Sequence, residues 1–303
     1  MTIGFLLLRQ ISIMSILVIV GYIISLKGLV TFQGSVDMGK IGQYIVLPLI
    51  VIRNFMVEKT AETNHLLLES LFFASITMII SMGVARIFFG KDGVSQFSCA
   101  FCNTGGLAVP LLSALFGSEH IIYITMLMVL VIVLQWTYGI VLMTGDMRAV
   151  QPKMIMKNPI VIAMVIGILL YILQIPFPPL MTDTMNHITA MNTPLGMFLC
   201  GIYLQQNDLV KVLKDKRVYT VSLVRLVVIP LIVILAFKFI PFGSYTLKLY
   251  HVIAIGVAVG GNVAYIAQIY NKDYGKAVGQ YCVSTILCVV TLPLIASVAE
   301  MIL

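Results

Sequence analysis

The sequence predicts an all-α polytopic membrane protein with ten transmembrane helices in two inverted five-helix repeats, in which helices 4 and 9 are broken. Of its 303 residues, 60% are hydrophobic and only 10% are charged, whereas soluble domains average roughly 25% charged residues. Ten apolar segments each approach the roughly 20 residues that cross a bilayer as a helix. Paired glycines beside an asparagine interrupt the fourth and ninth segments.

The connections between the predicted spans are short, so no segment is long enough for a separate soluble domain. The first span contains Arg9 and has no small-residue cleavage site after it. We therefore expect it to be retained rather than removed as a signal peptide. The spans are predicted at residues 5–26, 38–57, 65–89, 95–116, 119–144, 157–174, 179–204, 217–238, 248–270 and 277–300.

The 19 lysines and arginines are distributed unevenly between the two faces of the membrane. Three lie within spans (Arg9, Arg53, Arg225), and the loops of one face carry Lys59, Lys238 and Lys248. By the positive-inside rule the other face is cytoplasmic and both termini lie outside the cytoplasm. This accounts for the net charge of +7 without nucleic acid. The cytoplasmic loops carry Lys27, Lys40, Arg86, Lys91, Arg148, Lys153, Lys157, Lys211, Lys214, Lys216, Arg217, Lys272 and Lys276.

A polar basic linker at residues 145–157 leaves five spans on each side of it. Because five is odd, the second half enters the membrane from the opposite face, and homologous halves would form an inverted repeat, a common transporter architecture. Pro48 follows Gly21 at the same interval at which Pro194 follows Gly167. This match supports the repeat, and coincidence stays open as an alternative.

Span 4 contains NTGGLAVPLLSALFG at residues 103–117, and span 9 contains Gly260-Gly261-Asn262. Glycine permits unusual backbone angles, and proline removes an amide hydrogen. A broken helix exposes amide hydrogens and a partial positive charge that suit an anion. The alternative is that these glycines allow tight helix packing. The predicted substrate-binding residues are Asn103, Thr104, Gly105, Gly106, Pro110, Gly260, Gly261, Asn262 and Gln135.

Polar side chains elsewhere in the spans leave two interpretations open. Gln135, beside the only tryptophan, could donate to a substrate or hold a neighbouring helix. Glu69, Asp183 and His187 are candidates for coupling to a proton or a sodium ion, because intramembrane charge is usually functional; interfacial residues reaching water are the favoured alternative. Arg225 could neutralise an anion, but we expect it to reach the cytoplasmic surface.

The stretch at residues 103–117 resembles the signature of the auxin efflux carrier family, whose bacterial members include permeases for malonate and malate. NPIVIAMVIGILL (158–170), NTPLGMFLCGIYL (192–204) and RLVVIPLIVILAF (225–237) resemble its spans 6, 7 and 8, so the resemblance covers nearly the whole chain. Many members carry a proline at the second break. This chain has none between Pro241 and Pro293, so we expect helix 9 to be less sharply interrupted.

The resemblance implies that helices 4 and 9 cross and that a transport domain moves against a scaffold. The scaffold would comprise residues 1–60 (spans 1–2) and 151–208 (spans 6–7), and the transport domain residues 61–150 (spans 3–5) and 209–303 (spans 8–10). It also implies efflux or exchange of organic anions across the plasma or inner membrane. Scaffold surfaces in such architectures often pair, so a homodimer is expected by analogy.

Other classes of function find less support in the sequence. A membrane-embedded enzyme is disfavoured, because the spans contain no HExxH, no GxSxG and no pair of buried aspartates. Cys99 and Cys102 form a CxxC without the further ligands of a zinc site, and the sequence predicts no cofactor. A membrane sensor or a channel on the same scaffold stays open as the alternative to a carrier.

Overall fold

The computed structural model describes residues 3–150, 156–206 and 214–303, with side chains from residue 8 onward. These residues form helices and no β-strand, and six of the described helices are long and apolar enough to cross a membrane. Lys153 and Lys211, and the domain boundaries predicted at 151 and 208, lie outside the described residues.

The first half of the chain forms helices α1 to α6, and polar side chains set several of their starts. Span 2 begins at Phe32 rather than at residue 38, because the Thr31 side chain accepts a hydrogen bond from the Gly34 amide at 3.1 Å and caps the helix. Thr60 and Thr63 form a capping box at the start of α3. The helices are α1 (Ile3–Leu26), α2 (Phe32–Asn54), α3 (Ala61–Phe89), α4 (Gly93–Ala100), α5 (Thr104–Phe116) and α6 (Ser118–Thr144).

The second half forms α7 to α13. Asn158 caps α7 and Pro159 occupies its first turn, where a missing amide hydrogen costs nothing. The predicted seventh span is divided at Met191, three residues before Pro194. The helices are α7 (Pro159–Leu173), α8 (Pro179–Ala190), α9 (Asn192–Gln206), α10 (Lys216–Lys238), α11 (Tyr245–Gly256), α12 (Asn262–Ile269) and α13 (Tyr274–Ile302).

Within the described residues three helices contain a widened π turn, and each such turn ends two residues before a proline. The turns are Gly42–Val46, Thr104–Ala108 and Val224–Val228, and the prolines are Pro48, Pro110 and Pro230. Proline lacks the amide hydrogen and clashes with the carbonyl one turn earlier, and a wider turn is one way in which a helix accommodates that loss.

Helix packing produces two groups that meet along one interface. In the first group α1 packs against α9, and α2 packs against both α7 and α9. In the second group α3 packs against α4 and α6, while α13 packs against α10, α11 and α12. The groups meet where α1 and α9 contact α13, and the breaks between α4 and α5 and between α11 and α12 lie near this interface.

Large apolar side chains remain exposed along the outer helices, as a lipid-facing surface requires. Examples are Ile16 and Ile19 on α1 and Ile79 and Ile87 on α3. Together with the six long apolar helices, this surface indicates a multi-pass membrane protein.

Candidate functional site

The two interrupted spans pair with each other through their extended backbone. Residues 101–103 separate α4 from α5, and residues 257–261 separate α11 from α12. Cys102 and Val259 form an isolated antiparallel bridge. The Asn103 amide donates to the Ala258 carbonyl at 2.9 Å, and the Gly260 amide donates to the Phe101 carbonyl at 3.0 Å. We call these two paired segments, together with the four helix ends that flank them, the crossover.

The expectation that helix 9 is less sharply interrupted is wrong. The gap between α11 and α12, residues 257–261, is longer than the gap at 101–103. No proline is needed there, because amides in the gap find partners outside their own helix. The Val259 amide donates to the Ser284 hydroxyl at 3.1 Å, and the Gly260 amide bonds across the crossover.

Asn103 begins α5 as its capping residue. Its side-chain oxygen accepts a hydrogen bond from the Gly106 amide at 3.1 Å, which satisfies one of the amides that a helix start leaves unpaired. A Cβ atom on Gly106 would lie 2.5 Å from that same oxygen. The cap therefore requires glycine at this position.

Asn262 begins α12 and joins three helices through its side-chain amide. Its Nδ2 donates to Oε1 of Gln135 on α6 at 2.8 Å. Its Oδ1 accepts a hydrogen bond from Nε2 of Gln43 on α2. Gln135 is only 2% exposed. Through its hydrogen bond with Asn262 it holds α12 against α6, and it also lines the cavity described below.

Two amides that the sequence analysis did not single out reach the crossover from the first group of helices. Gln43 contacts Asn262, and Asn192 donates to the Gly105 carbonyl at 2.7 Å. The available signal was an amide within an otherwise apolar segment. Such an amide does not by itself indicate that it lies beside the broken helices.

A cavity of about 160 Å³ lies between the two groups of helices, directly against the crossover. It is lined by the starts of α5 and α12, whereas no residue of α4 or α11 lines it. Among the described residues, its lining contains no lysine, arginine, histidine, aspartate or glutamate. The polar side chains around it are Gln43, Asn103, Thr104, Gln135, Asn192, Tyr203, Asn262, Tyr265, Gln268, Tyr274 and Tyr281.

The structure brings together all but one of the predicted binding residues. Pro110 does not line the cavity, because it lies in α5 beyond the π turn and shapes that helix rather than its start. The predicted residues that do line it are Asn103, Thr104, Gly105, Gly106, Gln135, Gly260, Gly261 and Asn262.

The three candidates for ion coupling lie away from this cavity. The Glu69 carboxylate is 3.8 Å from Nδ1 of His65, one turn earlier on α3. Asp183 and His187 are both exposed on α8, and they form no ion pair with each other in the described part of the chain. None of the three lines the cavity.

The expectation that Arg225 reaches the cytoplasmic surface is wrong, because its side chain is 0% exposed. Its guanidinium donates to the Cys99 carbonyl at 3.3 Å and to the Ile255 carbonyl at 2.5 Å. These carbonyls belong to the last turns of α4 and α11, so Arg225 lies behind the crossover and outside the cavity lining.

The described residues offer no cluster of three or more histidine, cysteine, aspartate or glutamate side chains that could hold a metal ion. Cys99 and Cys102 are buried and form no disulfide, as is true of the other three cysteines. The amide and hydroxyl groups that line the cavity are hydrogen-bond donors and acceptors.

Comparison with known proteins identifies the family. No curated protein matches the chain. The model of the membrane transport protein family matches residues 7–296, nearly the whole sequence, and confirms the resemblance to auxin efflux carriers. This is a family of transporters rather than of enzymes. The chain therefore belongs to the membrane transport protein family, the family of the auxin efflux carriers.

Proposed function

We propose that the protein is a secondary transporter that exports or exchanges small organic anions, such as mono- or dicarboxylates, across the cell membrane. The observation that carries the proposal is the position of the cavity against the starts of two half-helices. Each helix N-terminus carries roughly half a positive charge and presents amide hydrogens, and carboxylates bind well there.

The chemistry of the lining favours an anion over a cation. Asn103, Asn262 and Gln43 carry amide groups, and tyrosine hydroxyls surround them. Metal cations prefer carboxylate and other oxygen ligands, and no carboxylate lines the cavity in the described part of the chain. A carboxylate would meet hydrogen-bond donors and the positive helix ends without a competing negative side chain.

The same cavity suggests how the substrate would cross the membrane. Gln43 and Asn192 belong to the proposed scaffold, whereas Asn262 and Gly105 belong to the proposed transport domain. The transport domain (residues 61–150 and 209–303) would slide as an elevator past the scaffold (1–60 and 151–208) and break these hydrogen bonds. Ten spans in two inverted repeats, with both termini outside the cytoplasm, complete the proposed architecture.

Any proton or sodium coupling would act from outside the cavity. Glu69 is the candidate within the proposed transport domain, and Asp183 and His187 lie on the scaffold side. Since none lines the cavity, coupling through one of them would act on the movement of the domain rather than on substrate contact.

Thermal stability of the purified protein tests substrate binding, since a ligand that binds the folded state raises its stability. We expect one or more members of a panel of mono- and dicarboxylates to raise the Tm, by an amount that grows with concentration. Asn103→Ala and Asn262→Ala should lose most of that rise. Gln33→Ala removes an exposed amide from α2 and should keep it. A panel without any stabilising anion, or an unchanged response in both asparagine variants, would contradict the proposal.

A further inference from the structure

Arg225 is a buried charge that lies outside the proposed substrate site. The side chain is 0% exposed, and the described residues supply no carboxylate in an ion pair with it. Burying an unpaired charge is strongly unfavourable. Something else in its surroundings must therefore compensate the guanidinium.

The compensation comes from the backbone ends of two helices. Arg225 donates to the Cys99 carbonyl near the end of α4 and to the Ile255 carbonyl near the end of α11. The last four carbonyls of a helix have no partner within it, and each C-terminus carries roughly half a negative charge. Two such ends together balance about one positive charge.

This arrangement determines the net charge of the crossover. The four half-helices bring two positive starts and two negative ends together, and these would roughly cancel. The starts of α5 and α12 line the cavity, whereas the ends of α4 and α11 lie behind it with Arg225. With the two negative ends neutralised, the positive starts would dominate in the cavity.

We propose that Arg225 is the fixed countercharge of the crossover and gives the cavity its preference for anions. It is a positioning residue, because it acts through the helix ends and does not line the cavity. Its planar guanidinium reaches two carbonyls on different helices and carries a delocalised positive charge. The sign of the potential in the cavity is therefore built in and needs no bound cation.

A cysteine in the cavity measures this potential without any transport. Gly196 lines the cavity, and a Cβ atom added to it would meet nothing within 4 Å. The probe variant is therefore Gly196→Cys, and the parent chain, whose five cysteines are buried although Cys102 lines the cavity, gives the background rate to subtract. The measured quantity is the ratio of modification rates by a sulfonate-bearing and a trimethylammonium-bearing methanethiosulfonate of similar size.

Added to the probe variant, Arg225→Gln keeps two donor hydrogens but removes the charge, and Arg225→Lys keeps the charge. We expect Arg225→Gln to lower the ratio of anionic to cationic reagent about tenfold and Arg225→Lys to stay within about twofold, since nearby charge acts strongly in a medium of low dielectric constant. Arg86→Gln is the matched control. Arg86 also donates to a backbone carbonyl, that of Gly90, but it is exposed, so the ratio should not change.

An unchanged ratio in Arg225→Gln, or an equal fall in Arg225→Lys, would overturn the proposal. If Arg225→Gln does not fold, Ser222→Asp supplies a second test. Ser222 is buried one turn earlier on α10, where a carboxylate could pair with Arg225. The ratio should again fall about tenfold and should not change in Ser222→Asn; no fall in Ser222→Asp refutes the idea.

The inference deepens the proposed anion transport, yet the two can fail separately. A ratio that ignores Arg225 refutes the countercharge even if carboxylates bind. The absence of carboxylate binding refutes the proposed substrate class even if the ratio falls.

Discussion

At the scale of single residues, the crossover depends on glycines that differ in the room available for a side chain. A Cβ atom on Gly106 would lie 2.5 Å from Oδ1 of Asn103, whereas one on Gly261 would make ordinary contact with the Tyr281 ring at 3.6 Å. Paired glycines and asparagines are visible in the sequence, so this part of the site could be predicted. The amides from other helices that contact them could not be predicted, because those contacts depend on how the helices pack.

We predict that Gly106→Ala weakens ligand binding at least tenfold, because the added methyl group displaces the Asn103 amide from its cap. Loss of a helix cap costs about 1 kcal/mol, so a small fall in Tm should accompany it. Gly261 lines the same cavity, and the ligand affinity of Gly261→Ala should stay within about twofold of the parent's. Binding can be followed by fluorescence of Trp136, the only tryptophan, whose ring lies 6.2 Å from that of Tyr265 in the cavity wall. Equal binding by the two variants would show that the cap does not shape the site.

At the scale of elements, three helices of the second group are tied together at the Asp92 carboxylate. Asp92 caps α4 and contacts Arg217 on α10 at 2.9 Å and Lys276 on α13 at 2.5 Å. Burial by itself would raise the pKa of Asp92, but the hydrogen bonds from Lys276 and Ser95 outweigh it and hold the pKa below its usual value. The ionised carboxylate therefore stabilises the junction of these helices.

We predict that Asp92→Asn lowers the Tm at neutral pH by about 2–4 °C, which corresponds to roughly 1 kcal/mol for a partly exposed group. A carboxyl whose pKa is depressed by folding contributes its full stability above the unfolded pKa, about 3.9. It loses that contribution as the pH falls through the folded value. The difference between parent and variant should therefore shrink below about pH 4.

The control for this prediction is Asp37→Asn. Asp37 pairs with Lys40, but both side chains are more than half exposed, so the Tm should change by less than about 1 °C at neutral pH. A difference between parent and Asp92→Asn that stays constant down to pH 3 would show that the charge of Asp92 is not the stabilising feature.

Element boundaries show where sequence reasoning about this chain succeeds and fails. Hydropathy and glycine pairs predict the all-helical membrane fold and both breaks, because the cost of exposing a backbone in lipid leaves few alternatives. The lack of a proline wrongly predicts a weak break at residues 257–261, because proline is only one means of interrupting a helix. Hydrogen bonds to Phe101 and Ser284 serve there instead, and such long-range partners leave no local signal.

At the scale of the whole molecule, two groups of helices meet at an uncharged cavity, lined by both polar and apolar side chains, where two broken helices pair. Composition alone identified a membrane protein, and the family match extends this to membrane transport. Arg225 illustrates the remaining gap. Its position in an apolar span was evident from the sequence, but its partners, the ends of two other helices, became visible only in three dimensions.

Counterflow in proteoliposomes tests the central claim, carrier transport of a small organic anion through the crossover cavity, most directly. Vesicles loaded with an unlabelled carboxylate that stabilises the protein should transiently accumulate the labelled form above equilibrium, and the uptake should saturate with concentration. Asn262→Ala should reduce this uptake at least tenfold, while Gln33→Ala should match the parent. Uptake that only equilibrates and does not saturate would indicate a channel, and binding without any flux would indicate a sensor; either result would contradict the account.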